Sequence, residues 1–280
     1  MRETIEFRIF EEHASRWLEQ HDGVTLGGSV RKLVVGKTDP RMQVIAEAEL
    51  ALKRQGRTFF ASWRERRTYT RAELDAALRF RLKVTAVFEP AGELCGTKYD
   101  ETTACKRCGA GAKQIGPLIL DVKRIPRGKS FAKTIAGEIV VAQHAVDLFK
   151  EHGVTGARFH PVRAQGAKDL QPTGWCQLVV VSTNAEIAPP TRVGIDPFDE
   201  DPGGAYRCPS GDLLGLNLLS EVSVRSSTVG EDDIVGSREF FRDRRGLLRP
   251  ERAILISPKV RRLIDSRKLK GCEIEVVHLV

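Results

Sequence analysis

The chain has 280 residues, 41% hydrophobic and 29% charged, with a formal net charge of +8. This balance is that of a globular chain and excludes an intrinsically disordered one, and apolar runs no longer than a strand exclude a membrane-spanning helix. A chain this long buries roughly three quarters of its unfolded surface. Its six cysteines are therefore not needed as a disulfide framework and suit a metal site in a reducing, cytoplasmic setting.

In chain order, Met1 to Phe10 is a charged alternating strand and not a signal peptide. Residues 11–21 form a short helix with Ala14, Trp17 and Leu18 inward, and Val24 to Val35 is strand and turn around Gly27-Gly28. Asp39 as N-cap and Pro40 at the first position open a helix over Met42–Gln55 that stops at Gly56. Thr58–Trp63 is a strand. Thr70-Arg-Ala-Glu73 is a capping box for a helix to about Phe80, and Leu82–Phe88 is a strand.

The stretch Cys95-Gly-Thr-Lys-Tyr-Asp-Glu-Thr-Thr-Ala-Cys105-Lys-Arg-Cys108-Gly109 follows. Cys-x-x-Cys in a tight turn aims two thiolates at one point, and a following glycine tolerates the positive φ such a turn needs. Cys105 and Cys108, with Cys95 on a neighbouring strand or across a loop, make up most of a structural zinc site. The fourth ligand is sought among Cys176, Cys208, Cys272 and six histidines. Cys176 and Cys272 lie in apolar strands, where a lone cysteine is a small core residue. Cys208 lies in Cys-Pro-Ser-Gly211, half a knuckle, and is the expected fourth ligand. The ligand set is thus Cys95, Cys105, Cys108 and Cys208.

Beyond the knuckle, strands are expected at Leu118–Val122, Ile139–Ala142, Ala157–Val162 and Trp175–Ser182, with a helix over His144–His152 and a polar loop at 163–174. Residues 184–204 hold Pro189-Pro190, Asp196-Pro197 and Asp-Pro-Gly-Gly204 and read as a linker or mobile loop. The segment Ile139–Val162 then recurs as Ile254–Val277 at a constant offset of 115 residues. The offset keeps Leu148 with Leu263, Gly156 with Gly271 and Phe159 with Ile274, and places Cys208 against position 93, beside Cys95. The fold class expected is α+β: two pseudo-repeated strand–helix–strand units, at 91–183 and 205–280, joined at a zinc knuckle, with an N-terminal α+β extension over 1–90.

Two cysteine turns, each followed by a strand–helix–Gly–strand unit, resemble the double-CxxCG-motif proteins, a bacterial paralogous family. The resemblance covers about residues 92–280. Cys105, Cys108 and Gly109 match the family pattern. The second copy survives only as Cys208-Pro-Ser-Gly211, with glycine in place of its second cysteine, and Cys95 is inferred to supply the missing ligand. Some members of this family are cytoplasmic immunity proteins for secreted or exchanged toxins, so the resemblance implies a protein partner, a toxin among the candidates.

No constellation amounts to an active site. Gly128-Lys129-Ser130 imitates the end of a phosphate-binding loop, but Lys123 stands where that loop needs glycine. The expected function is a non-enzymatic zinc protein that binds a protein partner. One alternative is nucleic-acid binding through the basic stretch Arg238–Arg262; another is an enzyme with an unrecognised site near residues 184–205.

Overall fold

A computed structural model describes residues 1–167, 172–213 and 215–280. Part of the loop expected at 163–174, residues 168–171, lies outside the described residues. The protein is a mixed α+β protein of two units, Met1–Ala76 and Ala77–Val280. Among the described residues no helix is long and apolar enough to cross a membrane.

The first unit runs β1 (Arg2–Phe10), α1 (Glu11–Trp17), β2 (Val24–Leu26), β3 (Val30–Gly36), α2 (Arg41–Lys53), β4 (Phe60–Thr68) and α3 (Arg71–Ala76). Its sheet has the order β2-β3-β1-β4, with each neighbouring pair antiparallel. The period-two alternation of β1 buries Ile5, Phe7 and Ile9 on one face. In α1 the buried residues are His13 and Ala14, whereas Trp17 is half-exposed. The helix ends at Trp17 and the chain turns extended at Leu18, so the expected inward stripe stops a turn early. Thr70 and Glu73 form the reciprocal capping box: the Thr70 N–H donates to Glu73 Oε2 (2.7 Å) and the Glu73 N–H to Thr70 Oγ1 (3.3 Å). The helix it opens ends at Ala76, not near Phe80.

Asp39 caps α2 from outside it. Its Oδ1 accepts the Arg41 N–H at 3.0 Å, and its carboxylate also takes the Arg41 guanidinium. These bonds, the side-chain ones first, hold the Asp39 pKa down to about 2. A depressed carboxylate stabilises the fold fully above its ordinary value of 3.8, and that contribution is lost as pH falls through about 2. Asp39→Asn is accordingly expected to flatten the pH dependence of the urea midpoint across this acid window, measured by circular dichroism.

The second unit begins with β5 (Arg79–Val84) and β6 (Val87–Phe88), then a 3-10 turn at Gly92–Cys95. It continues through β7 (Lys98–Asp100), β8 (Lys113–Ile115), β9 (Ile119–Leu120), β10 (Phe131–Thr134), β11 (Ile139–Ala142), α4 (Gln143–Glu151), β12 (Ala157–Pro161), β13 (Arg163–Ala164) and β14 (Trp175–Val180). The last stretch holds β15 (Ile187–Ala188), β16 (Val193–Asp196), β17 (Asp199–Glu200), β18 (Asn217–Leu218), β19 (Val222–Val224), α5 (Ser226–Val229), β20 (Ile234–Phe241), β21 (Glu251–Ile256), α6 (Pro258–Ser266) and β22 (Cys272–Leu279).

The domain boundary therefore falls at Ala76/Ala77 and not after residue 90, because β5 pairs with both β21 and β22. The stretch 184–204, expected as a linker or mobile loop, is built into the fold. β15 pairs with β19, and β16 pairs with β17 and β18. Ala185, Ala188 and Val193 are buried there, so apolar side chains hold it down despite its prolines.

The two large sheets have the orders β12-β14-β11-β10-β6 and β15-β19-β22-β5-β21-β20. Each contains one strand–helix–strand segment, β11–α4–β12 or β21–α6–β22. In each, a strand from elsewhere in the chain, β14 or β5, lies between the two strands of that segment. All these pairings are antiparallel. The helices α4 and α6 contact one another. Their cross-connections match: the Ile234 N–H donates to Thr155 O (3.1 Å) and the Phe131 N–H to Lys270 O (3.0 Å).

Ser257 caps α6. Its Oγ accepts the Val260 N–H (3.3 Å) and its O–H donates to Asp233 Oδ1 (2.7 Å). Ser257→Ala is expected to cost about 1–2 kcal/mol, since it removes a cap and leaves a buried acceptor short of one donor. Equilibrium denaturation against wild type measures this.

Candidate metal centre

The hairpin β7–β8 is registered by Lys98 opposite Ile115 and Asp100 opposite Lys113, and residues 101–112 form its loop. Within that loop the Cys105 N–H donates to Ala110 O and the Gly109 N–H to Cys105 O, both at 2.8 Å. These two bonds curl the chain so that Cys105 and Cys108 converge. Gly109 has φ +76°, and a Cβ there would meet Arg244 Cβ at 2.7 Å, so the turn needs glycine for conformation and for space. The other side is the Cys208 turn. Here the Cys208 N–H donates to Asp212 O and the Gly211 N–H to Cys208 O, again at 2.8 Å. It is the same curl made one residue shorter.

Both turns are anchored to the strand beneath. The Leu213 N–H donates to Phe240 O, and the Arg244 N–H, just beyond β20, donates to Cys108 O, each at 2.8 Å. The result is one cluster. The sulfurs of Cys105, Cys108 and Cys208 and a carboxylate oxygen of Asp212 all lie within 4.8 Å of one another. Cys105 and Cys208 Sγ are 3.4 Å apart, and Cys108 Sγ is 3.4 Å from Asp212 Oδ2. A disulfide needs about 2.05 Å, so these are free thiols. Donors around a tetrahedral ion with metal–sulfur bonds of about 2.3 Å sit roughly 3.5–3.8 Å apart, and carboxylate oxygen is an accepted fourth donor. The residues fit a zinc-sized ion.

Local electrostatics favour the same use. The Ser210 hydroxyl donates to Cys105 Sγ at 3.3 Å. That bond first, then the N–H groups of Cys108 and Arg107, pull the Cys105 pKa down to about 6, so a thiolate is available near neutrality. Cys108 is fully buried, and burial pushes its thiol up, a cost that coordination to a cation removes. Cys208 and Ala110 are buried beside it, and Phe240 packs against the group.

Cys95 is not in the cluster. It closes the 3-10 turn Gly92–Cys95, buried, and Gly96 at φ +106° then redirects the chain. Thr97 locks that turn to β9, with the Ile119 N–H donating to Thr97 Oγ1 at 2.8 Å. Cys95 is consequently held at the β9 side, where burial raises its pKa. Asp212 takes the fourth place instead. The signal for it was adjacency: it directly follows the half knuckle Cys208-Pro-Ser-Gly211. Cys176 is buried in β14, and its Sγ–H donates to Gln143 Oε1 at 3.4 Å; Cys272 begins β22. Neither joins the group.

Around the centre, Arg249 bridges Glu93 (2.8 Å) and Glu101 (3.1 Å) and lies 3.6 Å over the Tyr99 ring. Arg244 also pairs with Glu101. Other arginines of the stretch Arg238–Arg262 are engaged as well, whereas Arg262 is exposed. Arg238 pairs with Glu186 (3.1 Å), Arg242 with Glu251 (3.3 Å), Arg245 with Asp243 (3.0 Å) and Arg261 with Asp265 (2.9 Å). Arg252 lies 3.8 Å over Phe240. The pairs of Arg244 and Arg249 with Glu101 tie the hairpin loop to the segment after β20.

No protein-family model matches the chain, and a search of curated proteins finds no match.

Proposed function

We propose that this is a non-enzymatic binding protein with one structural zinc ion, held by Cys105, Cys108, Cys208 and Asp212. The observation that carries the reading is the convergence of four donors from two turns more than ninety residues apart in the chain. A catalytic zinc keeps an open position, whereas three thiolates and a carboxylate complete a tetrahedron. The ion then serves to tie the β7–β8 hairpin to the turn ahead of β20. Thiolate ligands suit a reducing cytoplasm.

The two cysteine turns are read as degenerate copies, as are the β11–α4–β12 and β21–α6–β22 segments. The matched strand order and the matched connections of Thr155 with Ile234 and of Lys270 with Phe131 support that reading. The proposed role is to bind a protein partner, as an immunity protein that neutralises a toxin. The ion pairs of Arg238, Arg242, Arg244, Arg245, Arg249 and Arg261 argue against a continuous free nucleic-acid face along Arg238–Arg262. The pair Ser130–His144 (3.1 Å) does not make a nucleophile. Ser130 is buried, and its Oγ also takes the Lys270 N–H at 3.4 Å.

The test is co-expression with a secreted toxin-like protein encoded beside its own gene. Rescue of growth together with a co-purifying complex is the expected result. Neither rescue nor complex would overturn the immunity reading, and elemental analysis showing no zinc would overturn the metal assignment.

A further inference from the structure

The first unit carries a second unusual surface. Ile5, Phe7 and Ile9 of β1 are buried, so Thr4, Glu6 and Arg8 point to the opposite face of the sheet. Cross-strand register places Lys32 and Ser62 opposite Arg8, Val34 and Arg64 opposite Glu6, and Arg66 opposite Thr4. Val24 lies opposite Lys32 and extends the same face. The side chains of Arg8 and Arg66 are about half exposed, and Val24 and Val34 are exposed at 64% and 46%.

Glu6 sits at the centre of this face with its side chain only 8% exposed, under Arg8 (3.8 Å), Lys32 (3.3 Å) and Arg66 (3.3 Å). One carboxylate thus positions three cations, which leaves positive charge in excess at the centre of the face, with aliphatic side chains beside it.

We propose that this face is the docking surface for the protein partner, and that the partner presents an acidic patch bordered by aliphatic side chains. The inference rests on the reading above that the protein acts by binding another protein. Excess positive charge calls for an anionic surface. The apolar side chains select protein over nucleic acid. Val24 and Val34 need apolar cover that a phosphate backbone does not give, and Phe10, two residues after Arg8 on the same face, is exposed beside them.

The experiment uses the full chain and a fluorescein-labelled peptide of alternating Glu and Leu, read by anisotropy, beside an oligothymidine of equal charge. Arg8→Gln combined with Arg66→Gln is expected to weaken peptide binding about tenfold, as is raised salt, while Arg242→Gln leaves it unchanged. Equal peptide binding by the double variant would overturn the proposal, and so would tighter binding of the oligonucleotide than of the peptide. Should the double variant melt early because Glu6 loses its partners, adding Glu6→Gln removes the stranded carboxylate and the same comparison holds. Growth rescue separates the two readings. A double variant that still rescues and still forms the toxin complex sinks the docking face and leaves partner binding standing; a wild type that does neither sinks partner binding itself.

Discussion

Cys208→Ser is expected to empty the metal centre and to cost the protein much of its stability. Structural zinc sites bind with apparent energies of roughly 10–16 kcal/mol, and a site formed only in the folded state returns that energy as folding stability. Serine keeps the size of the side chain but does not ionise near neutrality, so the ion would lose one of three thiolates. The Cys208 turn is joined to the hairpin loop chiefly through this cluster, so its loss should free both turns. The measurement is zinc per chain by elemental mass spectrometry, with the melting temperature before and after a chelator.

Three companions separate the ligand set from its neighbours. Cys95→Ser is expected to keep one ion per chain, because Cys95 is held beside β9 and away from the cluster. Asp212→Asn should weaken retention, since a neutral amide replaces an anionic donor. Asp212→Cys should strengthen it by putting a fourth thiolate where the carboxylate stands. Zinc retained at the wild-type level in Cys208→Ser, or lost in Cys95→Ser, would refute the assignment.

The second large effect is expected at two glycines. Gly156 has φ +82°, and a Cβ there would lie 2.0 Å from the carbonyl oxygen of Ile234. Gly271 has φ +100°, and its Cβ would lie 2.0 Å from the carbonyl oxygen of Phe131. In both places the obstacle is backbone at the start of a strand, β20 or β10, which cannot swing aside as a side-chain end can. Gly156→Ala and Gly271→Ala should each destabilise by about 3 kcal/mol or more, combining left-handed strain with a steric clash. Gly153→Ala is the control. Its φ is +58°, but nothing lies within 4 Å, so only the left-handed penalty of roughly 1–2 kcal/mol applies. Comparable losses at positions 153 and 156 in urea denaturation would show that the close approach does not set the cost.

Several elements were legible in the chain because their signals are local. The alternation of β1, the Thr70/Glu73 box, the helix after Asp39 and the strand–helix–Gly–strand segments all depend on residues within a few positions of one another. The Cys-x-x-Cys turn was legible for the same reason: Cys105, Cys108 and Gly109 build it from two backbone bonds within a few residues. What the pattern misjudged depends on distant partners. Pro189-Pro190 and Asp-Pro-Gly-Gly204 read as a linker, yet the strands around them are held by β19 and β18. The end of the first unit was placed at residue 90 because nothing between residues 77 and 90 announces that β5 inserts between β21 and β22.

The candidate metal centre divides along the same line. The amino-acid sequence by itself determined the mixed α+β character, one complete knuckle, one half knuckle at Cys208 and a second strand–helix–strand segment 115 residues after the first. Only the tertiary structure decided that Asp212, and not Cys95, joins the three sulfurs. A turn records which ligands it can offer, because its backbone bonds are short-range. Which offers meet at one point is set by the anchoring of both turns to β20 and the residues just after it, through Phe240 and Arg244, and that pairing spans more than a hundred residues of chain.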